Sequence, residues 1–170
     1  EMAIIADSAA QRKELNVLMR DFAQNYLMTA RDYAEAGAYA EAVELLDDCK
    51  SATPLVRYYQ AYYLEKMGNP KEAEAKVAQA EKMSPDYCFP NKMEDVPVLR
   101  YAAGRYDAGM AAYYLGNLFF DKLQWQEAVG LWEKAAARYP DFPTVHRNLA
   151  LAYFNKTGDR EAAKREMEKA

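Results

Sequence analysis

The series Ala30, Tyr33, Ala42, Leu46, Cys49, Pro54 advances by steps of 3, 9, 4, 3 and 5. The same steps recur at Ala61, Leu64, Ala73, Val77, Ala80, Pro85, and again at Gly116, Phe119, Ala128, Trp132, Ala135, Pro140. Each copy reads small, large, small, large, small, proline. A spaced repeat of this kind is one supersecondary unit, which buries its apolar face only by stacking on a neighbour. A fourth copy runs Ala150, Tyr153, Ala163, Met167, Ala170 with a second step of 10. One residue is therefore inserted there, within Phe154 to Thr157 and ahead of Gly158.

The spacing predicts helical hairpins. A small residue followed three later by a large one marks the packed stripe of a first helix. Gly37, Gly68 and Gly158 then end that helix, because glycine readily takes the left-handed conformation at a C-terminal cap. Leu123 stands at this place in the third copy, so its turn must close without glycine. Glu41, Glu72 and Glu127 each precede the next small Ala and favour the dipole of a second helix. Pro54, Pro85 and Pro140 are expected to stop the second helices.

These residues resemble the tetratricopeptide repeat, a helix-turn-helix unit with this small, aromatic, small and proline spacing. The resemblance covers about 23–87 and 109–170 and implies an all-α fold: antiparallel helix-hairpin repeats in an α-α superhelix (a TPR-like solenoid) with one extra inserted helix. The expected layout is a single domain of 1–170. It comprises a preceding or capping helix at 1–22, repeat one at 23–56, repeat two at 54–87, an inserted helix at 88–108, repeat three at 109–142 and an incomplete repeat four at 143–170. Repeats one and two are offset by only 31 residues, so Pro54 to Val56 serve both. In the insert, Asn91 is the expected cap of a helix through Val96, Leu99 and Tyr101 to about Gly104, with Pro97 in its first turn. Leu15, Leu18, Met19 and Phe22 form a helical stripe before repeat one.

A narrower resemblance lies in Cys88-Phe89-Pro90-Asn91, Tyr113-Tyr114-Leu115-Gly116-Asn117, Phe142-Pro143-Thr144 and Arg147 to Lys156. These look like the repeat section of large bacterial proteins whose repeats follow a β-rich domain, suspected to handle carbohydrate. The resemblance implies a bacterial multidomain parent. The chain starts at Glu1 and stops within a repeat, so it reads as a fragment. The expected compartment is the cytoplasm.

The formal net charge of −4, with no long block of Lys or Arg, argues against nucleic-acid binding, which needs a basic stripe. No stretch approaches the ~20 apolar residues of a membrane helix. Cys49 falls at a small packing position and reads as a reduced core residue. Chemistry-bearing patterns are sparse. His146, the only histidine, has no Cys in its repeat. The pairs Asp47 and Asp48, Glu94 and Asp95, and Glu166 and Glu168 read as solvated helix ends and polar faces. Gly104 and Gly109 lack the strand and the Lys-Ser/Thr of a phosphate loop. Asn155-Lys156-Thr157 matches a glycosylation acceptor but reads as turn chemistry. No catalytic residue, metal site or cofactor is expected, and the chain reads as a binding scaffold, not an enzyme.

The 14 tyrosines suit contact surfaces, each offering an apolar ring with one polar tip. The resemblance implies that first helices line a concave groove. Its open stripe is expected at Leu27, Met28 and Arg31; at Tyr58, Tyr59 and Tyr62 with Glu65 and Lys66; at Met110, Tyr113, Tyr114, Asn117 and Phe120; and at Arg147, Asn148 and Leu151. The partner-binding set is Arg31, Tyr58, Tyr59, Tyr62, Tyr113, Tyr114, Asn117, Arg147 and Asn148, since tyrosine and arginine dominate binding hot spots; the alternative is that these tyrosines pack against neighbouring repeats or the inserted helix. Repeats that grip the C-terminal carboxylate of heat-shock chaperones place two asparagines where Asn117 and Asn148 stand. Tyr113 occupies the place of their lysine, so an extended peptide or apolar helix is the better fit. The expected partner is a protein or peptide. A domain of the parent protein is the rival, with this segment as spacer or docking arm, and open repeat ends allow a homodimer.

Overall fold

Four turns in the chain are closed by the same backbone device. In the computed structural model, which describes residues 9–170, Gly37, Gly68 and Gly158 have φ of 83°, 78° and 73°. Leu123 takes the same left-handed conformation at φ 62°. In three of these turns the next residue's N–H returns to a carbonyl five residues back: Ala38 to Tyr33 at 2.9 Å, Asn69 to Leu64 at 2.9 Å and Gln124 to Phe119 at 2.8 Å. This pairing satisfies the last carbonyls of each first helix and reverses the chain.

The described residues contain ten α-helices and no strand. The chain divides into two compact units at Ser84/Pro85. Unit 1 holds α1 (Ala9–Met19), α2 (Ala23–Glu35), α3 (Tyr39–Asp47), α4 (Pro54–Lys66) and α5 (Pro70–Ala80). Unit 2 holds α6 (Asp95–Arg105), α7 (Gly109–Asp121), α8 (Trp125–Arg138), α9 (Pro143–Ala152) and α10 (Arg160–Met167). The pairs α2/α3, α4/α5, α7/α8 and α9/α10 are packed hairpins.

The small positions are where helices meet. Ala30, Ala42, Ala61, Ala73, Ala80, Ala128 and Ala135 are all fully buried. Leu46, Leu64, Val77, Phe119 and Trp132 fill the space beside them and are buried too. At Gly116 the approach is closest: a Cβ there would stand 2.6 Å from the Trp132 indole. The inserted residue of the fourth copy is accommodated as a π-helical turn at Tyr153–Thr157. Here the closing bond runs from Asp159 N to Tyr153 O at 3.1 Å, six residues back instead of five. A π-turn is how one extra residue fits into a helix without breaking its packed face.

Several sequence expectations are corrected. Pro54 does not stop α3, which ends at Asp47; it opens α4 at the first helical position, where its missing N–H costs nothing. Asn91 does not cap α6. Glu94 precedes the helix, and the Asp95 carboxylate accepts from the Asn91 and Lys92 backbone N–H groups at 3.2 Å each. In the N-terminal stripe Met19 is buried, but Leu18 and Phe22 are 70% and 61% exposed. The reason is local: Arg20 and Asp21 take φ of 53° and 49°, which ends α1 at Met19 and takes Phe22 off its face. The part of the 1–22 helix that falls on 1–8 lies outside the described residues.

Candidate functional site

The helices that carry the predicted open stripe are more enclosed than the pattern implied. In unit 1, α4 packs against α2, α3 and α5. Tyr58 and Tyr59 are accordingly buried, with the Tyr58 hydroxyl donating to Glu81 Oε1 at 2.5 Å and the Tyr59 ring edge-on to Tyr63 at 5.8 Å. Tyr62 is half-buried, with Lys66 Nζ 5.1 Å above its ring, and Arg31 is half-buried on α2. Leu27 is buried as well.

In unit 2, α7 packs between α6 and α8. Met110, Tyr113 and Tyr114 are buried, and Tyr113 meets the Phe142 ring edge-on at 4.9 Å. Four of the predicted partner-binding tyrosines (Tyr58, Tyr59, Tyr113 and Tyr114) are thus core residues, and the expectation of an open stripe is corrected there. The physical reason is that each lies on a helix covered by neighbours on more than one side. An aromatic ring there meets packed side chains before it meets water.

What remains accessible of the predicted stripe in unit 2 lies at a pocket of about 250 Å³ lined by Asn117, Phe120, Trp132, Asn148 and Leu151. Its polar floor is a short network. The Trp132 indole N–H donates to Asn117 Oδ1 at 3.0 Å, and Asn148 Nδ2 donates to the same oxygen at 3.3 Å. Arg147, exposed beside it, donates to Asn148 Oδ1 at 3.4 Å. The apolar walls are Phe120, tilted against Trp132 at 5.1 Å, and Leu151, which is 48% exposed. The structure therefore brings Asn117, Arg147 and Asn148 together in one place. The part played by Trp132 was not seen in the sequence, where it reads only as a large packing residue. A buried indole that needs an acceptor was the available signal.

The remaining chemistry-bearing groups hold the fold. His146 is buried; its Nδ1 lies 2.6 Å from Glu166 Oε2 and its Nε2 lies 2.7 Å from the Pro140 carbonyl. A carbonyl only accepts, so Nε2 is a donor. Burial pushes the Glu166 carboxyl up, but hydrogen bonds from Lys169 and His146 outweigh it and hold the group below its ordinary range. Asp95 is buried too, so the reading of Asp95 and Glu166 as solvated carboxylates is corrected. Cys49 and Cys88 are buried free thiols. Asn155 and Thr157 donate to Leu151 and Tyr153 carbonyls at 2.9 Å each, as turn residues do. Among the described residues no group of three His, Cys, Asp or Glu could hold a metal ion, and no helix is long and apolar enough to cross a membrane.

A tetratricopeptide-repeat family model matches residues 110–141, the α7/α8 hairpin that carries Asn117 and Trp132. Among solved structures, the chain is similar to MamA 41-end from Desulfovibrio magneticus RS-1 at 18% identity and a TM-score of 0.41, covering 86% of this chain and 92% of that one. It is also similar to MamA AMB-1 at 20% identity and a TM-score of 0.41, covering 89% and 90%. Likeness at this level carries neither a partner nor an activity to this chain. The findings support the tetratricopeptide-repeat family: the chain is an all-helical protein of TPR-like hairpins, with the match itself on the third of them.

Proposed function

We propose that this chain is a non-catalytic scaffold that binds a protein or peptide segment at the pocket between Asn117 and Asn148. The observation that carries the reading is the pairing of two oriented amides with exposed apolar walls. Asn117 Oδ1 is occupied by Trp132 and Asn148, which orients the Asn117 amide group. Phe120 and Leu151 supply apolar area, and Arg147 adds a cation at the rim. Polar groups that set orientation within apolar walls are the usual composition of a recognition site.

Selection of a displayed random peptide library against the whole chain, followed by titration of the enriched peptide, tests the reading. Asn148→Ala is expected to weaken that peptide about tenfold, the scale of one lost hydrogen bond in a desolvated contact. Leu151→Asp should weaken it further. Enriched peptides that bind both variants like the parent protein would reject the site.

A second reading makes the segment an arm docked on another domain of a larger bacterial protein, the β-rich domain suggested by the narrower resemblance. It is favoured by Val17, Leu18 and Phe22, which are 70%, 70% and 61% exposed on unit 1. Large apolar side chains left exposed on a folded unit are available for such a contact. Limited proteolysis of the parent protein separates the readings: a docked arm is protected, and a free scaffold is released intact.

A further inference from the structure

The α7/α8 hairpin seats the helix that follows it on two stripes. One is Tyr113, Asn117 and Phe120 on α7, and the other is Trp125, Val129 and Trp132 on α8. Each set is spaced i, i+4, i+7 and so shares one helix face. Tyr113 meets the Phe142 ring at 4.9 Å just ahead of α9, and Asn117 accepts from Asn148 of α9 at 3.3 Å. Phe120 and Trp132 line one pocket with Asn148 and Leu151 of α9. Further along, Lys156 Nζ of the π-turn lies 3.9 Å from the centre of the Trp125 ring. The two stripes together form the cradle of α9 and its π-turn.

The repeat register carries both stripes into the α9/α10 hairpin. Arg147, Leu151 and Phe154 stand 34 residues after the α7 set. Arg160, Lys164 and Met167 stand 35 after the α8 set, the extra residue being the one taken up by the π-turn. Helix α10 keeps its phase through that insertion, since Ala163 is buried as Ala128 is. All six residues of this second cradle are exposed, with Leu151, Phe154 and Met167 at 48%, 58% and 51%.

The two cradles differ in charge. The α7/α8 set has no ionised side chain, whereas the α9/α10 set combines three apolar residues with three cations and no carboxylate. Among the described residues Arg147, Arg160 and Lys164 have no ion pair, and Arg147 donates to the neutral Asn148 amide at 3.4 Å. A helix like α9 does not complete this surface. Pro143–Ala152 contains no acid and carries Arg147, so a copy of it would set like charges together. What matches is a helix with an apolar stripe and acidic flanks.

We propose that the outer edge of the α9/α10 hairpin docks an amphipathic helix with acidic flanks, supplied by a protein partner. Its apolar stripe lies on Leu151, Phe154 and Met167, as α9 lies on Asn117, Phe120 and Trp132. Its carboxylates meet Arg147, Arg160 and Lys164 at the rim. In such a complex the apolar anchors supply affinity, and the charges fix orientation and exclude basic helices. The edge adjoins the Asn117 pocket at Leu151 but does not rest on that reading, because Phe154, Arg160, Lys164 and Met167 do not line the pocket.

Fluorescence anisotropy of the whole chain with three labelled, stapled peptides tests this. The first is a helix of about four turns with leucines at i, i+4 and i+7 and glutamates flanking them; stapling is needed because short isolated helices are marginal in water. The second replaces the glutamates by lysines, and the third scrambles the first so that the stripe is lost. The first should bind saturably and each of the others at least about tenfold more weakly. Arg160→Glu with Lys164→Glu, and separately Phe154→Asp, should each weaken the first peptide about tenfold, with helical circular dichroism unchanged. Asn148→Ala, which alters the pocket and not this edge, should leave its affinity as it was. The proposal is overturned by an absence of saturable binding, by equal binding of the three peptides, or by loss in Asn148→Ala without loss in the edge variants. Self-association of the chain that Phe154→Asp abolishes would assign the edge to a second copy and overturn it as well.

Discussion

The Trp132 indole N–H donates to Asn117 Oδ1 at 3.0 Å, across the interface of the α7/α8 hairpin. Indole is a donor only, so Asn117 must turn its oxygen toward it, and Asn148 then donates to that same oxygen at 3.3 Å. Asn117→Leu leaves a buried donor without an acceptor and should cost about 1–3 kcal/mol. Asn117→Asp keeps the acceptor and should cost less. Urea denaturation of the two variants checks the order.

Leu123 is 70% exposed and holds φ 62° where three other turns use glycine. A left-handed L-residue costs roughly 1–2 kcal/mol, and glycine's greater unfolded-state freedom returns part of the difference. Leu123→Gly should therefore stabilise the chain by about 0.5–1 kcal/mol. Thermal unfolding reads this as an increase in Tm; a decrease would show that the leucine makes contacts worth more than the strain.

Two glycines of unit 2 should respond to alanine with opposite signs. Gly116→Ala drives a Cβ to 2.6 Å from the Trp132 ring and 3.2 Å from the Ala128 carbonyl. It is expected to destabilise by about 1–3 kcal/mol, the usual range for overpacking. Gly130→Ala meets open space and should stabilise by up to about 1 kcal/mol. Equal effects in denaturant titrations would contradict the close approach at Trp132.

Acid should loosen both units through named carboxylates. Glu166 is held below its ordinary 4.5: burial pushes it up, but Lys169 and His146 outweigh this. Asp48 is held below its ordinary 3.8 in the same way, with Arg12 and Asn16 overcoming burial. A lowered folded-state value means the stabilisation is fully present above the unfolded value and is lost as pH falls through the folded one. Stability should therefore fall below about pH 4.5. Glu166→Gln should flatten that fall, as followed by denaturant midpoints across the same window.

The hairpins were legible because their determinants are local and periodic. Ala42, Ala73 and Ala128 mark close approach wherever they occur, and even the single inserted residue ahead of Gly158 surfaces as the π-turn at Tyr153–Thr157. The candidate site was less legible. For Tyr58 and Tyr114 the pattern allows both an open and a packed position, because a helical stripe says which residues share a face, not how many neighbours cover it. Pro54 shows the same limit: proline excludes a helix interior, but both a stop and a start satisfy that rule.

The central claim is that a partner segment docks between Asn117 and Asn148. The most direct measurement is the NMR response of the Asn117 and Asn148 side-chain amides to a peptide selected on the whole chain. The account predicts saturable shifts of both amides, together with the Leu151 methyls, and their loss in Leu151→Asp. Tight binding that leaves both amides unmoved and shifts resonances elsewhere would contradict it.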